Sequence, residues 1–439
     1  MRVVVIALIP RMLFYLHRLR RNLRLKPSDL RKLQWEKLRA TVKHAYEHVP
    51  FYHRKFKGAR FNPDDLKTFD DLRKIPVTTK LEVQACDLLD MVTENTDLDS
   101  LTKRRTSGST GVPLTTLVDG RVSDFEAAVW MRALFEDGLR VRDKMSVIAD
   151  PRSFPKKESV FQRLGLAKRK YISIFDSAER QLALIKEFKP DVVKGYASSL
   201  FILAEEFEDL VGEIESRLVF SGAEVLDAPS KKLISSRFGA ELFDCYACSE
   251  LGLLAWECKE HSGYHVNADS VLMEFVGDGG EAVAFGEKGR VVCTGLFNRV
   301  MPLIRYELDD VVVPVNDECA CGRSLPLVKF VEGRADDLLV AADGRLISPT
   351  LFFPYPFESV DWIKRFRVIQ ESRKRLVIQV APKKAVENQS QIIEAAERKL
   401  HELFGNLEVK FEFMENIPLD NSGKFRKVIS RINSRSRNR

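Results

Sequence analysis

The stretch between residues 145 and 246 constrains the fold most, because short apolar runs alternate there with patterns of helical spacing. The apolar runs predict strands at Met145–Ala149, Tyr171–Phe175, Val192–Tyr196, Leu218–Ser221 and Leu242–Tyr246. Helices are predicted between them at Ala178–Phe188, Ser198–Leu210 and Pro229–Phe238. Strict alternation is typical of a parallel sheet covered by helices. Because such sheets bind ligands at the carboxyl ends of their strands, Gly195, Gly222 and the residues just after Tyr246 should face a site.

The residues around this stretch predict further elements. Towards the N-terminus the patterns indicate a helix at 28–48 after Ser28, a helix starting at 79–82, a strand at 114–118 and a helix capped by the Ser123–Glu126 box. Residues 264–331 are rich in Val, Gly and short alternating segments, which favours a small antiparallel β unit. Beyond Gly333 the sequence predicts hairpins at 338–347 and 366–380, a helix at 389–404 and a strand at 407–414.

The fold class expected from these patterns is α/β. A large N-terminal α/β domain, residues 1–334, has a parallel sheet and a small β subdomain at about 264–331. A small α+β domain, residues 335–439, follows it. No internal repeat or low-complexity tract interrupts this plan.

Composition excludes several classes of protein. The 439 residues are 45% hydrophobic and carry 70 basic against 63 acidic side chains, an ordinary globular balance with a net charge of +7. The basic tail from residue 424 to 439 lacks interleaved aromatic residues, so a solvated tail is favoured over a nucleic-acid partner. Seven cysteines do not suggest a disulfide scaffold and fit a reducing, cytoplasmic compartment.

The N-terminus begins with an apolar run, Val3–Leu8, that Pro10 and Arg11 interrupt. A membrane span needs about twenty apolar residues, and no cleavage site for a signal peptide is evident. We therefore expect an amphipathic helix that packs on the body of the protein, with peripheral membrane contact as the alternative.

Five short segments contain the residues that could perform chemistry. In Thr106-Ser107-Gly108-Ser109-Thr110-Gly111, glycines and hydroxyls can present donors to a polyphosphate, although the loop lacks the Lys of a Walker A motif and could be a flexible turn. The other four segments, read alone, have plainer alternatives: a helix N-cap at 246–250, a turn between strands at 305–310, a charged turn at 333–337 and a surface lysine at 423–424.

The order and spacing of these segments resemble the adenylate-forming superfamily of acyl-CoA synthetases, most closely its phenylacetate–CoA ligase-like branch, which includes proteins linked to capsular polysaccharide genes. The similarity runs from about residue 30 to 430. Six segments match in order: Thr106–Pro113, Gly222–Glu224, Tyr246–Glu250, Arg305–Asp310, Gly333–Asp336 and Gly423–Lys424.

The resemblance implies a role for each matched segment. Thr106, Ser107, Gly108, Ser109, Thr110 and Gly111 would cradle the phosphates of ATP. The adenine would lie against Gly222, Ala223, Glu224 and Tyr246, while Asp310, assisted by Arg334, would bind the ribose. Ser249 would contact the α-phosphate and Glu250 would hold Mg²⁺. Asp336 would act as the hinge of residues 335–439, a mobile lid domain, and Lys424 on that lid would bridge the acyl carboxylate and the α-phosphate.

The sequence also departs from the family pattern. Leu114 and Thr115 stand where many relatives carry Lys, Asp309 replaces the usual Gly before Asp310, and Ala247 replaces a common Gly. These changes put catalytic efficiency in question more than identity, because the principal charged residues are present.

A second constellation suggests a metal. Cys258, His261, Cys319 and Cys321 would form a Cys₃His set suited to structural Zn²⁺, with His265 as the alternate fourth ligand. The plainer interpretation is a loop with reduced thiols. The Cys319–Arg323 segment resembles one in this branch, some members of which bind zinc there.

The function expected from the resemblance is ATP-dependent activation of a carboxylic acid, aromatic by resemblance alone, followed by transfer to a thiol, coenzyme A being favoured. Two alternatives stay open: an amine or hydroxyl acceptor, as in glycan or cofactor modification, and a nucleotide-binding protein that has lost catalysis. The acid itself cannot be identified from the sequence, and a homodimer is left open.

Overall fold

The computed structural model describes residues 2–105, 114–155, 162, 165–277, 279–334, 339–343, 346–347, 363–382, 389–418 and 425–432. The α-helices in these ranges are α1 (Arg2–Asn22), α2 (Pro27–His48), α3 (Pro50–Gly58), α4 (Lys80–Ala85), α5 (Gly120–Glu136), α6 (Ala178–Phe188), α7 (Ala197–Glu206), α8 (Leu210–Glu213), α9 (Ala228–Phe238) and α10 (Gln389–Phe404). Short 3₁₀ turns lie at Pro63–Asp65, Phe69–Lys74, Leu98–Ser100 and Pro151–Ser153.

The strands are shorter and more numerous. Those before residue 250 are β1 (Thr102–Arg105), β2 (Thr115–Val118), β3 (Met145–Ala149), β4 (Arg169–Ser173), β5 (Val192–Tyr196), β6 (Leu218–Gly222) and β7 (Glu241–Cys248). Those from 252 to 334 are β8 (Gly252–Glu257), β9 (Tyr264–Val266), β10 (Val271–Val276), β11 (Gly289–Gly295), β12 (Tyr306–Val315) and β13 (Leu327–Arg334). The remainder are β14 (Leu339–Val340), β15 (Leu346–Ile347), β16 (Ile363–Ser372), β17 (Arg375–Pro382), β18 (Glu408–Phe413) and β19 (Val428–Ser430).

The chain clusters into two compact units. One consists of Met1–Leu139 with Phe243–Phe330, and the other of Arg140–Leu242 with Val331–Arg439. Each unit therefore combines two separate stretches of sequence. The expected division after residue 334 follows chain order instead and stays a prediction.

The first unit contains strands in the order β10, β11, β12, β13, β9, β8, β7. Antiparallel ladders join β10 to β11, β11 to β12, β9 to β13 and β7 to β8, which confirms antiparallel pairing in the 264–331 region. Helices α2 and α3 pack on this sheet through a buried cluster that includes Leu38, Tyr52 and Phe56. Removal of this apolar area from water is the main source of the unit's stability.

In the second unit, β6, β5, β3 and β4 form the parallel arrangement that the alternating pattern predicts. Leu182 and Ile185 of α6 bury one face of that helix, which Ser177 caps by accepting from the Arg180 amide at 3.3 Å. Helix α9 ends at Gly239, whose φ of +59° is the left-handed geometry that glycine adopts at helix ends. The predicted α/β class is confirmed.

The C-terminal stretch of the second unit forms a four-stranded sheet in the order β18, β17, β16, β19. Strands β16 and β17 make the predicted antiparallel hairpin, whereas β18 and β19 pair in parallel with their neighbours. Helix α10 covers this sheet with Leu400 and Phe404. Strand β19 is too short and too polar in its surroundings for the sequence pattern to have predicted it.

One predicted helix start is wrong. The helix assigned to a Ser123 cap begins at Gly120, because the Asp119 carboxylate accepts from the Val122 amide at 2.8 Å. The helix predicted at 28–48 is confirmed as Pro27–His48, which begins one residue earlier, with Lys26 at the cap position. In contrast, Thr79 and Glu82 form the capping box that opens α4, as predicted.

Helix α1 packs on α5 within the first unit. Arg11 donates to Asp124 at 2.6 Å, Arg20 donates to Glu136 at 3.0 Å, and the Tyr15 ring contacts the edge of Phe125. The side chains of α1 from residue 11 onwards therefore pack on the body of the protein, as expected. Among the described residues, no helix is long and apolar enough to cross a membrane.

Candidate active site and metal centre

The predicted phosphate loop is framed by a hairpin. Strands β1 and β2 pair antiparallel, with Thr102 opposite Val118 and Arg105 opposite Thr115. The six residues 106–111 named above for phosphate binding lie outside the described residues. The structure thus describes the two paired strands that flank this segment in the sequence.

The Arg104 guanidinium anchors this hairpin to α5 through an ion pair with the Glu126 carboxylate. Burial raises the pKa of Glu126, although the Arg104 charge opposes that rise. Sequence reasoning missed this pair because Glu126 had been assigned to a capping box. Arg104 and Arg105, the two basic residues immediately before the loop, were the sequence signal that an acidic partner was needed.

The Tyr246–Glu250 segment forms the end of β7 and the turn into β8. Cys248 lies opposite Gly252 in the antiparallel register, and Gly252 has a φ of +74° that closes the turn. The helix N-cap considered as the plainer alternative is therefore wrong. The apolar run Leu251–Trp256 continues as a buried strand, which leaves Ser249 exposed and Glu250 half-buried at the tip.

Two tyrosine hydroxyls connect this hairpin to β12. The Tyr246 hydroxyl donates to Asp310 Oδ2 at 2.5 Å, and the Tyr306 hydroxyl donates to Glu250 Oε1 at 3.2 Å. Burial, together with the nearby Asp310 carboxylate, raises the pKa of Tyr246 well above its ordinary value, so the phenol stays a donor. Tyr246, Glu250 and Asp310 are thus brought together, with Tyr306 as a partner that sequence reasoning had not assigned.

In the second unit, Gly222, Ala223 and Glu224 lie at the carboxyl end of β6, as predicted. Ala223 has a φ of +66°, an uncommon conformation for a residue with a side chain and typical of functional turns. Glu224 accepts a hydrogen bond from the Ser198 amide at 2.8 Å, at the start of α7. Gly195 permits close packing of α7, since a Cβ there would lie 3.2 Å from Leu200 Cγ.

Three predicted site residues remain: Arg334, Asp336 and Lys424. Arg334 is the last residue of β13. Asp336 and Lys424 lie outside the described residues.

The metal constellation assembles in the first unit from Cys258, His265, Cys319 and Cys321, whose sulfur and nitrogen atoms all lie within 4.8 Å of one another. Cys258 Sγ is 3.6 Å from Cys319 Sγ, and Cys321 Sγ is 3.3 Å from His265 Nε2. Tetrahedral zinc with bonds of about 2.3 Å to sulfur places two sulfurs roughly 3.8 Å apart. The four side chains are therefore close enough together to hold one metal ion, and their spacing fits tetrahedral coordination.

The prediction of His261 as the fourth ligand is corrected by the structure, which groups His265 with the three cysteines. Its ring stacks on Phe243 with centroids 5.4 Å apart, and its Nδ1 lies 3.6 Å from a Glu257 carboxylate oxygen. His265, the alternate, is in the cluster because β9 pairs with β13 and so directs it to the Cys319–Cys321 turn. Burial lowers the pKa of His265 to about 4, so the imidazole is neutral at physiological pH, as a metal ligand must be.

Comparisons with known proteins indicate the same class of protein as the sequence motifs do. Residues 339–431 match the model of the CapK C-terminal domain. The phenylacetate–coenzyme A ligase of Escherichia coli (strain K12) is 31% identical over 329 residues, covering 71% of this chain and 73% of that protein. The enzyme of the same description from Pseudomonas putida is 29% identical over 325 residues, covering 71% and 72%.

The fold agrees with solved ligase structures. A 2-hydroxyisobutyryl-CoA ligase structure in complex with 2-HIB-AMP superimposes with a TM-score of 0.78 at 21% identity, covering 95% of this chain and 92% of the other. A benzoate CoA ligase from Burkholderia xenovorans LB400 gives 0.54 at 14% identity, covering 76% and 68%.

Fold and sequence together define an AMP-forming ligase of the adenylate-forming superfamily, which confirms the resemblance seen in the motifs. Within that class, the chain belongs to the phenylacetate–coenzyme A ligase family.

Proposed function

We propose that the protein activates a carboxylic acid with ATP and transfers the acyl group to coenzyme A. In the first step a carboxylate oxygen bonds to the α-phosphorus of ATP and pyrophosphate leaves. In the second, the thiol sulfur bonds to the acyl carbon, its proton is lost and AMP leaves. The observation that carries this proposal is the joining of Tyr246 to Asp310 and of Tyr306 to Glu250 in a chain of this family.

The proposed roles follow the matched segments. Asp310 would accept the ribose hydroxyls with help from Arg334, and the protonated Tyr246 keeps the Asp310 carboxylate in place. Glu250 would hold Mg²⁺, which supplies charge neutralisation at the phosphates when bound. Carboxylate ligands suit this hard cation. The donor from Tyr306 fixes the orientation of the Glu250 side chain.

The left-handed Ala223 at the end of β6 would bring backbone groups to the adenine edge, with Gly222 and Glu224 beside it. Ser249, exposed at the hairpin tip, would contact the α-phosphate. Lys424 would lie between the two anions that react, where a cation lowers the barrier by stabilising the developing charge. The hinge role of Asp336 and a lid motion that withdraws Lys424 before thioester formation complete the cycle.

The acid that we propose is aromatic, because the curated relatives are phenylacetate–coenzyme A ligases. A panel of aromatic, aliphatic and hydroxy acids should be scored by pyrophosphate release, with and without coenzyme A. We expect release to depend on the acid, and a thioester to form only when coenzyme A is present. Acid-dependent release without a thioester product would favour an amine or hydroxyl acceptor, and no release with any acid would overturn the proposal.

We also propose a structural zinc ion bound by Cys258, His265, Cys319 and Cys321. The spacing of the four ligand atoms supports it, and so does the carbonyl of Leu325, which lies 3.4 Å from His265 Nδ1 and leaves Nε2 facing the sulfurs. The ion would join the end of β8 to the loop before β13. None of the cysteines forms a disulfide, which is consistent with thiolate ligands.

Replacing His265 with asparagine should lower the zinc content from about one to well under half an ion per chain and lower the melting temperature, because a ligand is lost. The matched control is His261→Asn, which should retain about one zinc, since His261 lies outside the cluster. Elemental analysis of both purified variants and the wild type measures this. Well under one zinc in the wild type would refute the site.

A cytoplasmic location, where ATP and coenzyme A are available, is part of the proposed function. A homodimer and peripheral membrane contact through α1 stay predictions. We propose no nucleic-acid partner.

A further inference from the structure

The turn that carries Glu250 is in contact with α5 as well as with β12. Gly252, whose φ of +74° closes this turn, has no side chain, and a Cβ there would lie 3.5 Å from both Cγ and Cδ of Glu126. The Glu126 side chain therefore packs directly on the backbone of the turn. Tyr306 holds Glu250 from the side of β12, and Glu126 adjoins the same turn from the side of α5.

Glu126 and Glu250 also line one small cavity. The cavity has a volume of about 30 Å³ and lies between α5, the turn and the segment 295–298, with Leu251 and Asn298 in its wall. Because it has room for only about one or two water molecules, the two acidic side chains are close neighbours. Two carboxylates in such a position repel each other unless a cation compensates one of them.

Arg104 of β1 supplies that cation. Its Nη1 donates to Glu126 Oε2 in an ion pair whose side chains are 30% and 18% exposed, so the pair is partly shielded from solvent. The other carboxylate oxygen, Oε1, lies 3.8 Å from the Cβ position of Gly252. The Glu126 carboxylate is thus held between β1 on one side and the turn on the other.

Helix α5, which carries Glu126, is fixed by contacts of its own. The neighbouring Phe125 stacks on Phe297 with ring centroids 3.7 Å apart and planes inclined by 5°. Further along the helix, Arg132 forms the fully buried ion pair with Asp269. Because neither contact involves the ion pair with β1, breaking that pair should free the Glu126 side chain without displacing the helix.

We propose that Arg104 and Glu126 are positioning residues for Glu250. Their ion pair holds the Glu126 side chain against Gly252 and so fixes the turn that carries the Glu250 carboxylate. This inference rests on the proposed function, in which Glu250 holds Mg²⁺. Groups that orient a metal ligand without binding the metal commonly change metal affinity or activity about 10- to 100-fold when they are removed.

The test compares ATP binding in Mg²⁺ with ATP binding in EDTA, by calorimetry on the full chain. In Arg104→Met the gain in ATP affinity that Mg²⁺ gives should fall about 10-fold or more, because Glu250 is no longer held and an uncompensated carboxylate lies beside it. Affinity in EDTA should change less than about threefold, since neither positioning residue binds the nucleotide. Acid-dependent pyrophosphate release should require correspondingly more Mg²⁺, with an unchanged KM for the acid.

Two further variants and a control sharpen this test. Arg104→Lys keeps the cation and should retain most of the Mg²⁺ effect, whereas Glu126→Ala removes the contact with Gly252 and should reproduce the Arg104→Met result. The matched control is Arg54→Met, which breaks the exposed Arg54–Asp90 pair elsewhere in the first unit and should leave both affinities unchanged. Parallel losses with and without Mg²⁺, or no loss in either, would overturn the positioning role.

The melting temperature identifies any variant that fails to fold. In that case Glu126→Gln, which keeps the shape of the side chain, makes the same comparison. The Mg²⁺ effect should then fall about threefold, because a neutral amide binds the guanidinium less strongly than a carboxylate does. A wild type whose ATP affinity does not respond to Mg²⁺ would overturn the role of Glu250 together with its positioning. A responsive wild type with unchanged variants would overturn the positioning alone.

Discussion

Replacing Lys424 with alanine should abolish adenylation, with a loss of at least about 100- to 1,000-fold in acid-dependent pyrophosphate release, as when one donor to a developing charge is removed. The carboxylate and the α-phosphate are both anionic, so their approach without a cation between them is costly. Thioester formation from supplied acyl-adenylate should be spared, because the second step breaks the bond to AMP and needs no such bridge.

Both half-reactions should be measured on the same preparation, with Lys410→Ala as a control for a lysine lost elsewhere in the C-terminal stretch. Full pyrophosphate release by Lys424→Ala would refute the role assigned to this lysine. Equal loss of both steps would indicate a folding defect, which the melting temperature would reveal.

Asp269→Asn should lower the free energy of unfolding by about 3–5 kcal/mol, the cost of leaving a buried charge without its partner. The Asp269 carboxylate accepts from Arg132 at 2.7 and 2.9 Å and from Asn22 at 2.8 Å. The Arg132 and Asp269 side chains are both fully buried, and Arg132 also donates to the carbonyl oxygen of Leu19. The network joins α1 and α5 to the turn before β10.

Urea unfolding of Asp269→Asn and wild type measures this loss, with Glu47→Gln as a control because the Lys43–Glu47 pair is exposed. Adding Arg132→Met to Asp269→Asn should recover part of the lost stability, since the unpaired cation is then removed. A change no larger than that of the control would contradict the assignment.

The stability that the Arg132–Asp269 pair contributes should decrease at acid pH. Burial opposes ionisation of Asp269, yet the Arg132 charge lowers the pKa of Asp269 below its ordinary value. A carboxyl group whose pKa is lowered by folding contributes stability above its unfolded pKa of about 3.9 and loses that contribution as the pH falls through the folded pKa. Acid should therefore destabilise the wild type more than Asp269→Asn.

The local pattern of apolar residues was sufficient to predict most of the helices and strands of the second unit. Strands β3 and β5 and helices α6 and α10 have the predicted bounds, because period-two and helical spacing of apolar residues is set by which face is buried. Helix starts were less predictable. Asp119 caps α5 in preference to Ser123, a choice between two capping residues four positions apart that local pattern does not decide.

The sequence likewise predicted only part of the candidate site. Motif order predicted that Tyr246, Glu250 and Asp310 belong to one site, but it did not predict the hydroxyl of Tyr306 that donates to Glu250. The ligands of the candidate metal site show this limit of sequence reasoning more clearly. By spacing alone His261 and His265 were both admissible, and only the pairing of β9 with β13 selects His265.

By itself, the sequence determined the α/β class, the parallel arrangement of the alternating stretch and the family, since these depend on local periodicity and on motifs read in order. Only the tertiary structure decided which residues meet across long separations in the chain: Arg104 with Glu126, Arg132 with Asp269, Cys258 with Cys319, and Lys427 with Asp227. The physical reason is that such contacts depend on strand register and helix packing, which bring together residues that no local pattern relates.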